Sequence, residues 1–132
     1  MNTKLIMTIS SIVLGVTGVI LIFGPDIVLR NLYIDDNTMS ALLVQVCGGL
    51  YFGYSMLNWM TKESLIGGIY NRPVAVANFT HFLVAGLSII KSLMSNHGLP
   101  KALWMAGAVY LLFGVLFMLI LFRHPISSST DK

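Results

Sequence analysis

Charge is what this chain most lacks. Only 10% of its 132 residues are Asp, Glu, Lys or Arg, five acidic and eight basic, against 56% apolar. A soluble domain of this length needs far more charge to stay dispersed, and a mean hydropathy of +0.83 excludes a water-soluble globule. Cysteine is nearly absent too. Cys47 stands alone, so no intramolecular disulfide can form, and the redox compartment is not legible from it. The net charge of +3 is not gathered into a dense basic patch, so no nucleic acid is expected as a partner; it suits a surface facing anionic membrane lipids instead.

The constellations that carry chemistry are missing as well. No His/Cys/Glu cluster has zinc-ligand spacing, no carboxylate falls within an apolar run, and there is neither a nucleophile elbow nor a phosphate-cradling glycine loop. A haem would want paired axial histidines on facing helices, and only His81 falls inside an apolar run. No metal and no cofactor is therefore expected, and catalysis is disfavoured. Proton-coupled transport loses weight for the same reason, since it normally relies on a membrane carboxylate.

What the chain does have is four uncharged runs, at 5–23, 39–60, 73–90 and 102–122. Each has roughly the 17–25 residues that cross about 30 Å of hydrocarbon at about 1.5 Å per residue. Lipid offers backbone groups no hydrogen-bond partners, and the alternating pattern of a membrane barrel is absent, so all four are expected to be helices. The predicted fold is an all-α integral-membrane four-helix bundle, one domain over 1–132, with spans at about 5–23, 39–60, 73–92 and 101–122 and a short tail at 125–132. The first run has too long an apolar core for a signal peptide, and no small-x-small cleavage site precedes Gly24-Pro25, so it is expected to be retained.

Four spans put both termini on one side. That side carries Lys4, Lys62, Arg72, Arg123 and Lys132, against Arg30, Lys91 and Lys101 opposite, which places the termini in the cytoplasm of a bacterial inner-membrane protein. Lys91 and Lys101 sit at helix ends, where long side chains snorkel. Gly24 breaks the first helix and Pro25 can open a short interfacial one; Asp35-Asp36-Asn37-Thr38 supplies a turn and an N-cap for span two. Gly67-Gly68 marks an interfacial loop, Pro73 and Pro100 suit the starts of spans three and four, and Asn96-His97-Gly98 reads as a cap and turn. Trp59, Tyr70 and Trp104 fall where aromatic belts are expected, Arg123 and His124 end the fourth helix, and 127–130 reads as a disordered tail.

In a bilayer, helices associate through small residues and interhelical hydrogen bonds. Span one offers Ser11, Gly15 and Gly18 on one face, span two offers Gly49 and Gly53, and span four offers Gly107 and Gly114. Packing inside the bundle and a homodimer contact through Gly49 and Gly53 both stay open. At about 100° per residue, span two carries Cys47, Tyr51, Tyr54 and Asn58 on one stripe, and span three carries Asn78, His81, Ala85 and Ser88. Depth matches as well, Asn58 with Asn78 and Tyr54 with His81, so the stripes are expected to face each other as a polar seam. His81 then reads either as a proton relay or ligand contact, with Tyr51 or Tyr54 donating to it, or as a satisfied bundle histidine. Arg72, at the seam's inner mouth, reads either as a site for an acidic group or as a topology anchor.

The stretch Gly48-Gly49-Leu50-Tyr51-Phe52-Gly53, followed by a basic residue opening span three, resembles small four-helix bacterial membrane proteins of the DoxX-like type. The resemblance covers this segment and the general architecture. It implies a membrane subunit, sometimes linked to quinone or sulfur redox chemistry, but no diagnostic site here carries that chemistry over. The reading that requires no catalytic group is a non-enzymatic membrane protein using the seam to bind a lipid-like or quinone-like small molecule or a membrane-protein partner. The alternative is a small dimeric transporter or channel whose path the seam lines, and a lipid-modifying enzyme is the third.

Overall fold

The computed structural model describes residues 2–64, 69–96 and 98–122. The expectations for Gly67-Gly68, His97, Arg123, His124, Lys132 and the serine-rich tail lie outside them. The described chain is helical: α1 (Thr3–Phe23), α2 (Pro25–Asn31), α3 (Thr38–Thr61), α4 (Arg72–Ser95) and α5 (Ala102–Phe122), with a 3-10 turn at Ile69–Asn71. All but α2 are long and apolar enough to cross a membrane. The chain is thus a multi-pass helical membrane protein.

Local signals place the helix ends. The Asn2 side chain accepts from the Leu5 N–H at 3.1 Å and that of Asn37 from the Ser40 N–H at 2.9 Å, each satisfying a backbone donor that the first turn leaves open. Pro25 opens α2 and Pro73 lies in the first turn of α4, where a missing N–H costs nothing. After α2 the chain turns through Tyr33, whose φ of 59° is left-handed, and the Ile34 N–H reaches back to the Leu29 carbonyl at 3.0 Å. Hydroxyls on the lipid-facing spans return to their own helix: Thr8 donates to the Lys4 carbonyl, Thr17 to Val13, Thr61 to Leu57 and Ser88 to Val84. Each is thereby satisfied without a neighbour.

The four spans are zipped into two close pairs, α1 with α3 and α4 with α5, and the pairs meet mainly through side chains. Small residues set the first pair. Gly18 lies against the backbone of Gly48 and Phe52, and Gly15 against the Ser55 side chain. Ser11 donates to the Ser55 carbonyl at 2.8 Å, and Ser55 donates to the Ser11 carbonyl at 2.8 Å. Gln45 adds a bond to the Ile22 carbonyl at 3.3 Å. At the membrane edge, Lys4 pairs with Glu63 at 2.8 Å, and this ammonium holds the Glu63 carboxyl below the usual carboxylate range. Both groups are exposed, so the pair contributes little to stability. In the second pair Gly86 takes the Leu111 side chain, Gly107 takes Ile89 and Ile90, and Gly114 packs against the backbone of Leu83. Between the pairs lies the core, built on Met7, Leu14, Phe82, Phe113 and Phe117. Phe82 stacks on Phe113 and Phe117 with centroids 4.9 and 5.7 Å away.

One expectation is corrected here. Gly49 and Gly53 do not pack inside the bundle; a Cβ at either would meet open space, and the contact with α1 is made by their neighbour Gly48. The cause is rotational. One helix cannot turn both members of the Gly48-Gly49 doublet to the same partner, and the hydrogen bonds of Ser55, two turns from Gly48, hold that face against α1. Gly48→Ala is therefore expected to cost about 1–3 kcal/mol, because its Cβ would lie 2.9 Å from the Gly18 carbonyl oxygen and the Ile22 nitrogen, both backbone atoms. Gly49→Ala should be neutral or stabilising by up to about 1 kcal/mol through helix propensity. Thermal unfolding of both variants in detergent checks this, and equal losses would mean that α3 is turned otherwise.

Candidate functional site

The junction between the pairs is polar at one level and aromatic at the next. At the first, Asn58 of α3 and Asn78 of α4 form a cyclic pair: each amide nitrogen donates to the other's carbonyl oxygen at 2.7 Å. Asn58 also donates to the Ser10 hydroxyl at 3.1 Å, and Ser10 donates to the Met7 carbonyl at 3.0 Å, so α1 joins the same network. Asn78 has a further bond to the Val74 carbonyl at 2.9 Å. All three side chains are 0% exposed. An amide in hydrocarbon is costly unless its donors and acceptors are met, and these are met.

One turn deeper lies His81. Tyr54 stacks on its ring, centroids 4.9 Å apart at 23°, and Tyr51 meets it edge-on at 5.2 Å. Phe82 and Tyr110 approach the ring from α4 and α5 at 5.2 and 5.8 Å. Tyr51 and Tyr110 lie tilted to each other with ring centroids 6.4 Å apart. The Nε2 of His81 is buried and has no hydrogen-bond partner; among the described residues it is the one buried side-chain nitrogen or oxygen in that condition. On the outer side a groove of about 470 Å³ opens between α3 and α4 beside this ring.

The structure thus brings together Tyr51, Tyr54, Asn58, Asn78 and His81, and it leaves out three members of the two stripes and their mouth. Cys47 is exposed. Ser88 is exposed and bonded within its own helix. The α3–α4 seam therefore does not run the length of the two stripes; it ends at the Tyr51–His81 level, because these helices approach closely over only a short stretch. Arg72 is the first residue of α4 and exposed, about 13 Å along the axis from His81, so it is not part of the cluster. Sequence reasoning missed Ser10, Ser55 and Tyr110. Tyr110 shares a stripe with Gly107 and Gly114, a signal that was available; Ser10 lies on a helix with several hydroxyls, and nothing in the pattern singles it out. Among the described residues no group of His, Cys, Asp and Glu is placed to hold a metal ion.

These features define the class, a multi-pass helical membrane protein with a histidine-centred aromatic site between two helix pairs. No family model matches the chain, and no solved structure matches it. Over 103 residues, 76% of its length, it is 34% identical to the threonine efflux protein of Escherichia coli (strain K12). It is 34% identical over 104 residues to the threonine efflux protein of Salmonella typhi. In each case 48% of the relative is covered, so the chain spans about half the length of the curated relatives it matches.

The Asn pair sets a measurable energy. Asn58→Ala and Asn78→Ala should each destabilise the protein, since each leaves a buried amide with an unmet group. The double variant should lose less than the sum, with a coupling of about 1 kcal/mol, within the range for interhelical hydrogen bonds in membranes. A double-mutant cycle on thermal unfolding in detergent measures it, and strict additivity would show that the pair does not form.

Proposed function

We propose that this chain is a transport protein of the bacterial inner membrane, with both termini in the cytoplasm, which moves a small solute past the α3–α4 seam in contact with His81, Tyr51 and Tyr54. The observation that carries the reading is the unpartnered Nε2 of His81. Leaving a buried polar atom unmet costs about 1–3 kcal/mol, and the amides one turn away avoid that cost completely. An unmet atom beside fully satisfied amides supports a role for His81 in meeting a partner. The efflux activity named for the relatives supports transport as the use of such a site. The excess of Lys and Arg on the side of the termini supports the orientation.

A second reading is a resident binder or accessory membrane subunit, akin to the DoxX-like proteins, that holds a lipid-like or quinone-like molecule without moving it. The groove favours it, since it opens sideways toward the bilayer while aromatic side chains fill the centre of the bundle. Water distinguishes the two. Releasing a solute requires the seam to open to an aqueous face at some stage; a resident binder needs no such opening. In a Cys47→Ser background, which removes the one native thiol, His81→Cys in native vesicles is expected to react with a membrane-impermeant thiol reagent. Complete inertness from both faces would overturn transport and leave the resident binder.

A further inference from the structure

The α3–α4 groove carries information about what it can hold. It is lined by Tyr54, Ala77, Thr80, His81, Val84 and Ala85. Its volume is about 470 Å³, and two of the six lining residues are alanines, Ala77 and Ala85. Thr80 and Val84 are exposed, so the groove faces the side of the bundle and not its axis. Its chemistry is narrow: one imidazole and two hydroxyl-bearing side chains on an otherwise apolar wall.

Charge is absent from it. No lining residue is ionised by carboxylate, ammonium or guanidinium. The charged residues of the described chain sit at helix ends or between helices, and Arg72, the nearest cation before His81 on α4, is about 13 Å away along the axis. A zwitterion or carboxylate bound here would bring an unpaired charge into hydrocarbon, which membrane proteins avoid unless an opposite charge is supplied. A single hydroxyl or carbonyl oxygen requires only one hydrogen-bond partner, and the Nε2 of His81 is one that lacks its own. An imidazole nitrogen serves either kind, donating or accepting according to tautomer.

From these observations we infer that the groove takes an uncharged amphiphile, a molecule with one hydroxyl or carbonyl oxygen on an apolar body, which arrives sideways from the bilayer and bonds to Nε2 of His81. The inference rests on the seam being the substrate contact, and it sets this chain's ligand apart from the amino acid named for its relatives. Tyr54 is the gate. Its ring stacks on His81 and also lines the groove, so in this proposal its rotation is what would admit the ligand to the imidazole. Ala77, Val84 and Ala85 then bound the apolar part of the ligand.

The test uses the full chain in phosphatidylcholine vesicles with a diazirine-bearing long-chain alcohol as probe, and the alkyl sulfonate of the same chain length as its charged counterpart. After irradiation, adducts are located by mass spectrometry. The alcohol is expected to concentrate on Tyr54 and the segment 77–85. His81→Phe keeps an aromatic ring in the stack and should reduce that labelling about fivefold, the loss of one net hydrogen bond. Val84→Trp, at a position already facing lipid, fills the groove without touching the core and should abolish it. Labelling spread evenly over all lipid-facing helices, equal or stronger labelling by the sulfonate, no change in either variant, or suppression by excess threonine would each overturn the inference. Its failure is separable from failure of the transport reading: reactive His81→Cys with no localised alcohol adduct leaves transport standing, and localised adducts with an inert cysteine leave the ligand class standing.

Discussion

Everything at the centre of this protein depends on the amide pair between Asn58 and Asn78. Within each helix pair the backbones approach closely enough for glycines and serines to hold them, whereas between pairs the spacing is left to side chains. In lipid there is little hydrophobic force to bring two such halves together, because a leucine loses nothing by facing an acyl chain. Two amides answer this, because each costs several kcal/mol when unmet and little when matched. Their cyclic bond fixes rotation and register together. It also recruits Ser10, so three helices are tied at one point, and the α4–α5 pair cannot slide without stranding buried donors.

The aromatic site follows from that register. Tyr54 precedes Asn58 by four residues and His81 follows Asn78 by three; on antiparallel helices both steps lead in the same direction, one turn deeper. Once the amides are paired, the tyrosine and the histidine have to meet, and they do so face to face. Tyr51, a further turn along, closes on the same imidazole edge-on. The contrast in satisfaction between the two levels is the informative part. At the amide level every group has a partner, and at the histidine level Nε2 has none.

Much of this is legible in the sequence because polar residues in an apolar run are few, and each must go somewhere. The four spans, the short helix after Gly24, the Asn37 cap and the facing of Asn58 with Asn78 all rest on such residues. What is not legible is the rotation of helices about apolar and small residues. Gly48 and Gly49 are adjacent and chemically identical, and only the hydrogen bonds of Ser55 with Ser11 decide which of them faces α1. Ser88 fits the stripe of Asn78 and His81 by spacing alone. Yet a serine, unlike an asparagine, can satisfy its hydroxyl on its own helix and needs no partner across the seam. Stripe reasoning is therefore sound for amides and imidazoles and weak for hydroxyls. The outward turn of Gly49 and Gly53 leaves α3 with a smooth apolar face, and nothing in the described residues covers it.

The same accounting bears on function. A site for a charged solute in hydrocarbon has to contain the opposite charge, or the terminus of a broken helix, to make binding favourable. Here α3 and α4 run unbroken past His81, and neither brings a charge to it. A single unmet hydrogen-bonding atom beside an open groove is the smallest polar feature that can still discriminate. It separates an oxygen-bearing amphiphile from the surrounding acyl chains, which cannot hydrogen-bond, and an imidazole does this without committing to donor or acceptor. In the proposed site between these two helices, selectivity would rest on shape and on the imidazole that Tyr54 stacks against.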